Sequence, residues 1–409
     1  MPHKKQAAIG FIFITLLIDI TGIGLIIPVI PKLIEELIQG GISKASFYGG
    51  LLTFTFAFMQ FFFSPMLGAL SDKYGRRPII LISLFGSGLD YLFLSFAPTL
   101  ALLFVGRAIS GITGASITTA TAYIADVSTA ETRAKNFGMV GAAFGLGFII
   151  GPVIGGLLGP LGSRVPFMAA AGLCFVNWIY GYFVLPESLP KENRRNISRK
   201  TMIPGRSLIE FKKHPELGGL VSVFVLIYLA SHAVQSNWSF FTIEKFGWSE
   251  KMIGISLGVV GLLVAIVQGV LIRFINPRLG NEKSIYTGLL LYSLGLFLFA
   301  FAWQSWMMFA FLIPYCLGGI AGPAIQSIIA SHVPNNEQGE VQGALTSLVS
   351  LTSIVGPPLM TGLFAFFTGP SAPFHFSGAA FLLGAIFMLA STLIAYRALH
   401  KVNSTVAGS

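Results

Sequence analysis

Apolar runs close to twenty residues long recur along this chain, parted by short polar turns, and this pattern restricts the fold more than any other feature. About 20 helical residues cross the roughly 30 Å of a bilayer's hydrocarbon. Inside hydrocarbon every backbone N–H and C=O must be satisfied internally, which leaves only helices or a closed barrel. The runs cover residues 7–31, 48–70, 78–97, 99–125, 135–160, 165–185, 215–243, 252–274, 283–302, 305–330, 341–367 and 375–398. The alternating pattern of barrel strands is missing. The expected fold is an all-α polytopic membrane protein with twelve transmembrane helices. Composition agrees, with 54% hydrophobic residues, 10% charged residues and 37 phenylalanines, where soluble domains carry about a quarter charged residues.

A net charge of +10 raises the question of a nucleic-acid partner, and the placement of the basic residues answers it. Of the 26 Lys and Arg, Arg107 lies inside a run, and Lys32, Lys44, Arg164, Lys245 and Lys251 fall on one side; the other 20 fall on the side shared by both termini. The positive-inside rule then puts both termini in the cytoplasm. The basic surplus is topogenic, so no nucleic acid is expected and the partners are membrane lipids. Cys174 and Cys316 sit in separate apolar runs, which suits packing and not a disulfide framework or a metal centre. The first run follows Lys4 and Lys5 in the manner of a signal peptide, yet it carries Asp19 and continues past Pro28 without a small-residue cleavage site, so it is expected to be retained.

The one long polar stretch, rich in Lys and Arg, divides the runs into six and six. The expected organisation is an N-terminal bundle over 1–185, a basic cytoplasmic linker over 186–214, and a C-terminal bundle with a short tail over 215–409. Weak internal matches relate the halves. Gly75 corresponds to Gly280, and Gly151-Pro152 to Gly356-Pro357; Gly111, Gly114 and Gln60 correspond to Gly319, Gly322 and Gln268. Two pseudo-symmetric six-helix bundles of this kind are what transporters use to alternate access around a site at the membrane midplane.

Between the second and third runs lies GALSDKYGRRPI, Gly68 to Ile79, with four charges in six residues. Gly106 to Ser116 reads GRAISGITGAS, and Gly145 to Gly156 reads GLGFIIGPVIGG. With the first-run string IDITGIGLIIPVIP, the third-run end GLDYLFLSF, GGIAGPAIQS near Gly318 and EQGEVQGALTSL near Glu337, these motifs resemble the major facilitator superfamily. Within it they are similar to the tetracycline-resistance type of drug:proton antiporter. The resemblance covers nearly the whole chain. It implies export of amphipathic organic compounds, with the Gly145–Gly156 motif as the antiporter mark. The resembled pumps carry a histidine in the eighth helix and an acid in the ninth; those places hold Val264 and Tyr292 here.

The residues themselves suggest how such a machine would run. Asp19, about twelve residues into the first run, sits near the midplane, where a charge costs at least about 2.5–3.5 kcal/mol. It is either a proton carrier or a carboxylate satisfied by neighbours such as Thr15 or Thr21. Asp90 and Arg107 lie at similar depths on two helices joined by a tight hairpin, so they are expected to meet, as a proton-sensitive switch or as a fixed pair. His232 completes the candidate proton-coupling set, since imidazole titrates near neutral pH. Gln60, Asn177, Gln235, Trp238, Gln268, Tyr292 and Gln326 gather amides and aromatics at membrane depth and are the candidate substrate-binding residues, each also explicable as an interhelical hydrogen bond. An apolar pocket with sparse polar groups fits an amphipathic molecule better than a sugar.

For gating, Arg76 or Arg77 is expected to pair with Asp126. Asp72 would face the N-terminal end of the eleventh helix, and Arg133 flanks the neighbouring loop. Gly151 and Pro152 would bend a moving helix. The counterpart loop keeps Gly280 but has Pro277 near the place of Asp72.

The sequence holds no P-loop, no zinc-protease motif and no nucleophile elbow, so neither ATP-driven transport nor hydrolysis is expected: the chain is not an enzyme and needs no cofactor or metal. A proton gradient of about 100 mV and one pH unit supplies roughly 2.3 plus 1.4 kcal/mol, enough for a several-hundred-fold substrate gradient. The partners are then a small-molecule substrate and protons, in the inner (plasma) membrane. The alternatives are a proton-coupled importer of a metabolite, or a non-transporting sensor on the same fold.

Overall fold

The computed structural model describes residues 2–114, 116–194, 203–334 and 337–407. The first half forms α1 (Pro2–Ile26), α2 (Ile30–Ile38), α3 (Ile42–Tyr74), α4 (Arg76–Phe96), α5 (Leu100–Thr113), α6 (Ser116–Val127), α7 (Ala130–Leu158) and α8 (Val165–Val184). The second forms α9 (Gly218–Gln235), α10 (Trp238–Phe246), α11 (Glu250–Ile266), α12 (Ile272–Ala300), α13 (Ser305–Leu317), α14 (Ala321–Ser331), α15 (Gln338–Thr368) and α16 (Ala379–Ala407). Among the described residues eleven helical stretches are long and apolar enough to cross a membrane. One of them, Glu250–Ala300, is 51 residues long and turns at Gly280, whose φ of 73° and ψ of 167° are not helical. It therefore holds two spans, which gives the twelve-helix architecture.

Several spans depart from the uniform runs expected. The first ends at Ile26, in a turn that leads to the separate α2, with Pro31 among its first residues; Pro28 and Pro31 remove two donors that a continuous helix would need. The fourth breaks into α5 and α6 at Gly114, and the tenth into α13 and α14 around Gly318–Ile320. The seventh stops at Gln235, so α10 is a distinct helix. Residues Val267–Leu271 form a π turn at the end of α11, a feature frequent at functional sites.

The chain gathers into two compact units whose limits cross the sequence halves. One holds Met1–Gly40, Thr55–Pro204 and Trp248–Gly261; the other holds Gly41–Phe54, Gly205–Gly247 and Leu262–Ser409. Each thus includes a half-span from the opposite half of the sequence.

Lipid tails are as apolar as leucine, so packing inside each unit depends on close backbone approach at small residues. In the first unit a Cβ on Gly151 would stand 2.6 Å from the Thr21 carbonyl oxygen and 2.7 Å from Gly24 Cα, so α7 and α1 touch through backbone. Gly156 of α7 meets Gly254 of α11 in the same way, at 2.9 Å. Lys32 of α2 closes that end by pairing with Glu250 at 2.8 Å, and Ser163 donates to Glu36 at 2.6 Å. In the second unit the interior is aromatic. Trp238, Phe241, Phe299 and Phe381 interlock with centroids 4.8–6.5 Å apart, near the edge-to-face spacing rings prefer.

Candidate functional site

The charged string after the second span builds a knot of polar contacts on the first unit. Gly75 has φ 107° and ψ 159°, a conformation that glycine alone adopts freely, and turns the chain sharply from α3 into α4. That turn delivers Arg76, only 10% exposed in its side chain, into a nest of acceptors. Its Nη1 reaches Asp72 Oδ1 at 2.6 Å and Ser71 Oγ at 2.5 Å, and its Nε reaches Asp126 Oδ2 at 3.0 Å. Arg76 therefore takes the Asp126 pairing that the sequence left open between two arginines. Arg77 instead donates to the Tyr182 carbonyl at 2.7 Å and lies over the Tyr182 ring. The Asp72 carboxylate is bound to Arg76. The Arg133 side chain lies outside the described residues.

Sequence reasoning missed Glu187 at this knot. Its Oε1 accepts the backbone N–H groups of Arg76 at 2.8 Å, Ser188 at 3.0 Å and Leu189 at 3.1 Å, while Arg194 stands 3.9 Å from Oε2. A carboxylate at the first N–H of α4 is where the helix dipole favours an anion. Ser188 adds a donor to Asp126 at 3.0 Å, and Tyr123 donates to the Pro186 carbonyl at 3.0 Å. A carboxylate straight after a proline at a span's end, Pro186-Glu187, was the available signal.

Deeper in the same unit lie the acids. Asp19 is 6% and Asp90 3% exposed. The expected Asp90–Arg107 ion pair is not formed among the described residues. Asp90 instead accepts from Ser110, and the Arg107 guanidinium lies over Phe56, 4.6 Å from the ring centroid. The intervening helix face explains this, because Ser110 is three residues beyond Arg107 on α5 and presents its hydroxyl to α4 first. Tyr91 lies in electrostatic reach of Asp19, Asp90, Arg107 and Cys174.

The substrate candidates divide. Gln60 donates to the Gly114 carbonyl at 3.3 Å, at the break in the fourth span. In the other unit Gln268 lies beside Gly319, and Tyr292 packs on Gly318, at the corresponding break in the tenth; Tyr292 also donates to Tyr315 at 3.3 Å. Gln235 is exposed and donates to Ser231, and Gln326 is half-buried on α14. Two candidates are deeply buried. Asn177 is fully buried and donates to the Thr15 carbonyl at 3.0 Å. Trp238 is 2% exposed within the aromatic core, because its ring completes the cluster around Phe299 and Phe381. His232 is buried with its ring against Gly356, and its Nε2 has no hydrogen-bond partner among the described residues. Among those residues no group of His, Cys, Asp and Glu is arranged to hold a metal ion.

Comparison with known proteins adds to this geometry. The family model described as Major Facilitator Superfamily matches residues 12–357, and matches again over 220–407. The chain is 39% identical to the class C tetracycline resistance protein of Escherichia coli over 94% of this chain and 96% of that one. It is 41% identical to the class E protein of Escherichia coli over 89% of each. It is also 30% identical to multidrug resistance protein 2 of Bacillus subtilis (strain 168), over 91% of this chain and 93% of that one. Among solved structures the fold is similar to the human organic anion transporter MFSD10 (TETRAN), with TM-score 0.72, 24% identity, and 96% and 99% of the two chains covered.

Proposed function

This chain belongs to the major facilitator superfamily, and on that premise we propose that it exports amphipathic organic compounds, tetracycline-like drugs among them, in exchange for protons by alternating access. It is a multi-span membrane protein and a transporter, not an enzyme. The similarity to tetracycline resistance proteins along nearly the whole chain carries the reading. The two acids buried at membrane depth supply what proton coupling needs.

In this reading the protein lies in the inner membrane with both termini cytoplasmic, as a bundle over 1–185, a linker over 186–214 and a bundle over 215–409. Protons and membrane lipids are its other partners. Asp19, Asp90, Arg107 and His232 carry the coupling. Gln60, Gln268 and Tyr292, set beside the two broken spans, contact substrate, together with Gln235 and Gln326. Asp72, Arg76, Arg77, Asp126 and Arg133 form the cytoplasmic gate, and Gly151-Pro152 lets the fifth span flex against the first. An arginine held by two carboxylates at once is a latch whose opening must part both pairs.

Inverted vesicles with an imposed pH gradient test the proposal. Labelled tetracycline should accumulate while protons leave the lumen, and Asp90→Asn should stop both. Accumulation of tetracycline with no proton movement would overturn antiport, and failure to accumulate it would remove tetracycline as substrate. Raised tetracycline susceptibility limits in an efflux-deficient host provide the cellular counterpart.

A further inference from the structure

Asp90 and Arg107 lie within electrostatic reach of each other on the α4–α5 hairpin, yet each is held by a third residue. The Asp90 Oδ2 accepts from the Ser110 hydroxyl, while Oδ1 is buried with no hydrogen-bond partner among the described residues. Arg107 lies on the Phe56 ring of α3 at 4.6 Å. Gly106 lets α4 and α5 come this close: Asp90 Oδ1 is 3.3 Å from where a Cβ on Gly106 would stand. The other titratable groups around Asp90 are Tyr91 on its own helix and Cys174 on α8, with Asp19 of α1 in reach of both. The Tyr91 ring packs over Gly22 of α1, its Cε2 3.7 Å from that glycine's missing Cβ position.

A buried carboxylate with one oxygen unbonded and a cation nearby would not leave that cation on a neutral ring. A desolvated cation–π contact holds a cation less strongly than an unpaired buried charge is penalised. The arrangement fits a neutral acid at Asp90, with the proton on Oδ1 and the carbonyl oxygen Oδ2 facing Ser110.

We propose that Ser110 and Phe56 are positioning residues of the proton-coupling step, Ser110 orienting the Asp90 carboxyl and Phe56 seating Arg107 while Asp90 bears its proton. When the Oδ1–H bond breaks, the proton passes to water and the electron pair stays on the carboxylate. The Asp90–Arg107 couple falls from one net positive charge to none, and Arg107 leaves the ring for the carboxylate. That exchange ties α3 to the hairpin of α4 and α5, so a proton event is converted into a shift between helices. The inference rests on the proton-coupled export proposed above.

Two measurements on Ser110→Ala, Ser110→Thr, Phe56→Ala and Phe56→Tyr keep the inference and that export reading apart. The first is the pH profile of tetracycline uptake into inverted vesicles. The second is infrared difference spectroscopy of the protonated carboxyl stretch in purified protein, with Asp90→Asn identifying the Asp90 signal. A hydroxyl that donates to a carboxylate favours its ionised form, by about 1.5 kcal/mol or more. Ser110→Ala should therefore move both midpoints towards alkaline pH by about one unit, and Ser110→Thr should restore them. Phe56→Ala should cut maximal uptake about thirtyfold, the fold-change equivalent of a desolvated cation–π contact, and Phe56→Tyr should recover it. Unchanged midpoints in Ser110→Ala, or the same displacement in Ser110→Thr, would overturn the inference. So would a Phe56→Tyr that fails like Phe56→Ala. If wild-type vesicles fail to take up tetracycline, the export reading falls while the infrared titration still decides the role of Ser110.

Discussion

At Gly75 the chain turns from the second span into the third through φ 107° and ψ 159°, and at Gly280 it turns from the eighth into the ninth through φ 73° and ψ 167°. The backbone device is the same in both halves, but the side chains around it are not. The first turn holds Arg76 between Asp72 and Asp126, with Glu187 closing over the start of α4. At the second, Pro277 precedes the glycine, Asn281 donates to Ser327 at 3.3 Å, and Arg273 and Arg278 have no carboxylate partner among the described residues. A repeated turn needs only a glycine; a latch needs acids brought from three separate segments. Duplicated architecture can therefore keep its bends in both halves and its lock in one.

The sharpest way to break this contrast is to remove the central cation of each loop. Arg76→Ala takes the shared cation from Asp72 and Asp126, whose side chains are 42% and 20% exposed, and should cost about 1–3 kcal/mol. Thermal unfolding in detergent should show a clear fall, with uptake into vesicles lost. Arg278→Ala should stay within about 0.5 kcal/mol, as surface substitutions do. Equal losses in the two variants would remove the asymmetry.

Glycine substitution separates backbone from latch. Alanine at either turn carries the strain of a positive φ, about 1–2 kcal/mol. At Gly280 nothing lies within 4 Å of the added methyl group, so Gly280→Ala should show that strain alone. At Gly75 the methyl would collide with Glu187 and stand 2.9 Å from Arg194, so Gly75→Ala should be the worse by a further kcal/mol or more. Combining it with Glu187→Ala relieves the collision, so the double variant should cost less than the two single variants added. Strict additivity in that cycle would mean that Glu187 does not close over the turn as described.

The twelve spans, the twofold repeat and the Arg76–Asp126 alternative were all legible in the sequence, because hydrophobic length, glycine spacing and charge in a hydrophobic context are local signals. The helix breaks at Gly114 and at Gly318–Ile320 were not, since glycine occurs throughout these spans as a packing residue. Nor was the separation of Asp90 from Arg107. Depth along a helix can be counted from a sequence, but the face towards which Ser110 points depends on how α4 and α5 rotate against each other. Trp238 and Asn177 were hard to read for a related reason: an indole or an amide at membrane depth suits a substrate wall or a satisfied core equally well, and their packing is not written in the sequence. Glu187 was easy to pass over in a polar segment, and only its place straight after Pro186 at a span's end set it apart.

The smallest effect probes the second loop's own hydrogen bond. Asn281→Ala removes an exposed side-chain contact to Ser327 just after the left-handed glycine. Exposed hydrogen bonds between neutral groups contribute at most about 0.5–1 kcal/mol, so the unfolding temperature should barely move and vesicle uptake should hold. The informative variant is Asn281→Asp, which adds a second carboxylate to this loop, next to Glu282 and three residues beyond Arg278. If it slows uptake while raising stability, the second loop has been given a working latch, and the asymmetry between the halves lies in side chains alone. If nothing changes, one acid at the turn is insufficient, and the acids that Asp126 and Glu187 bring from distant segments are what make the first loop a lock.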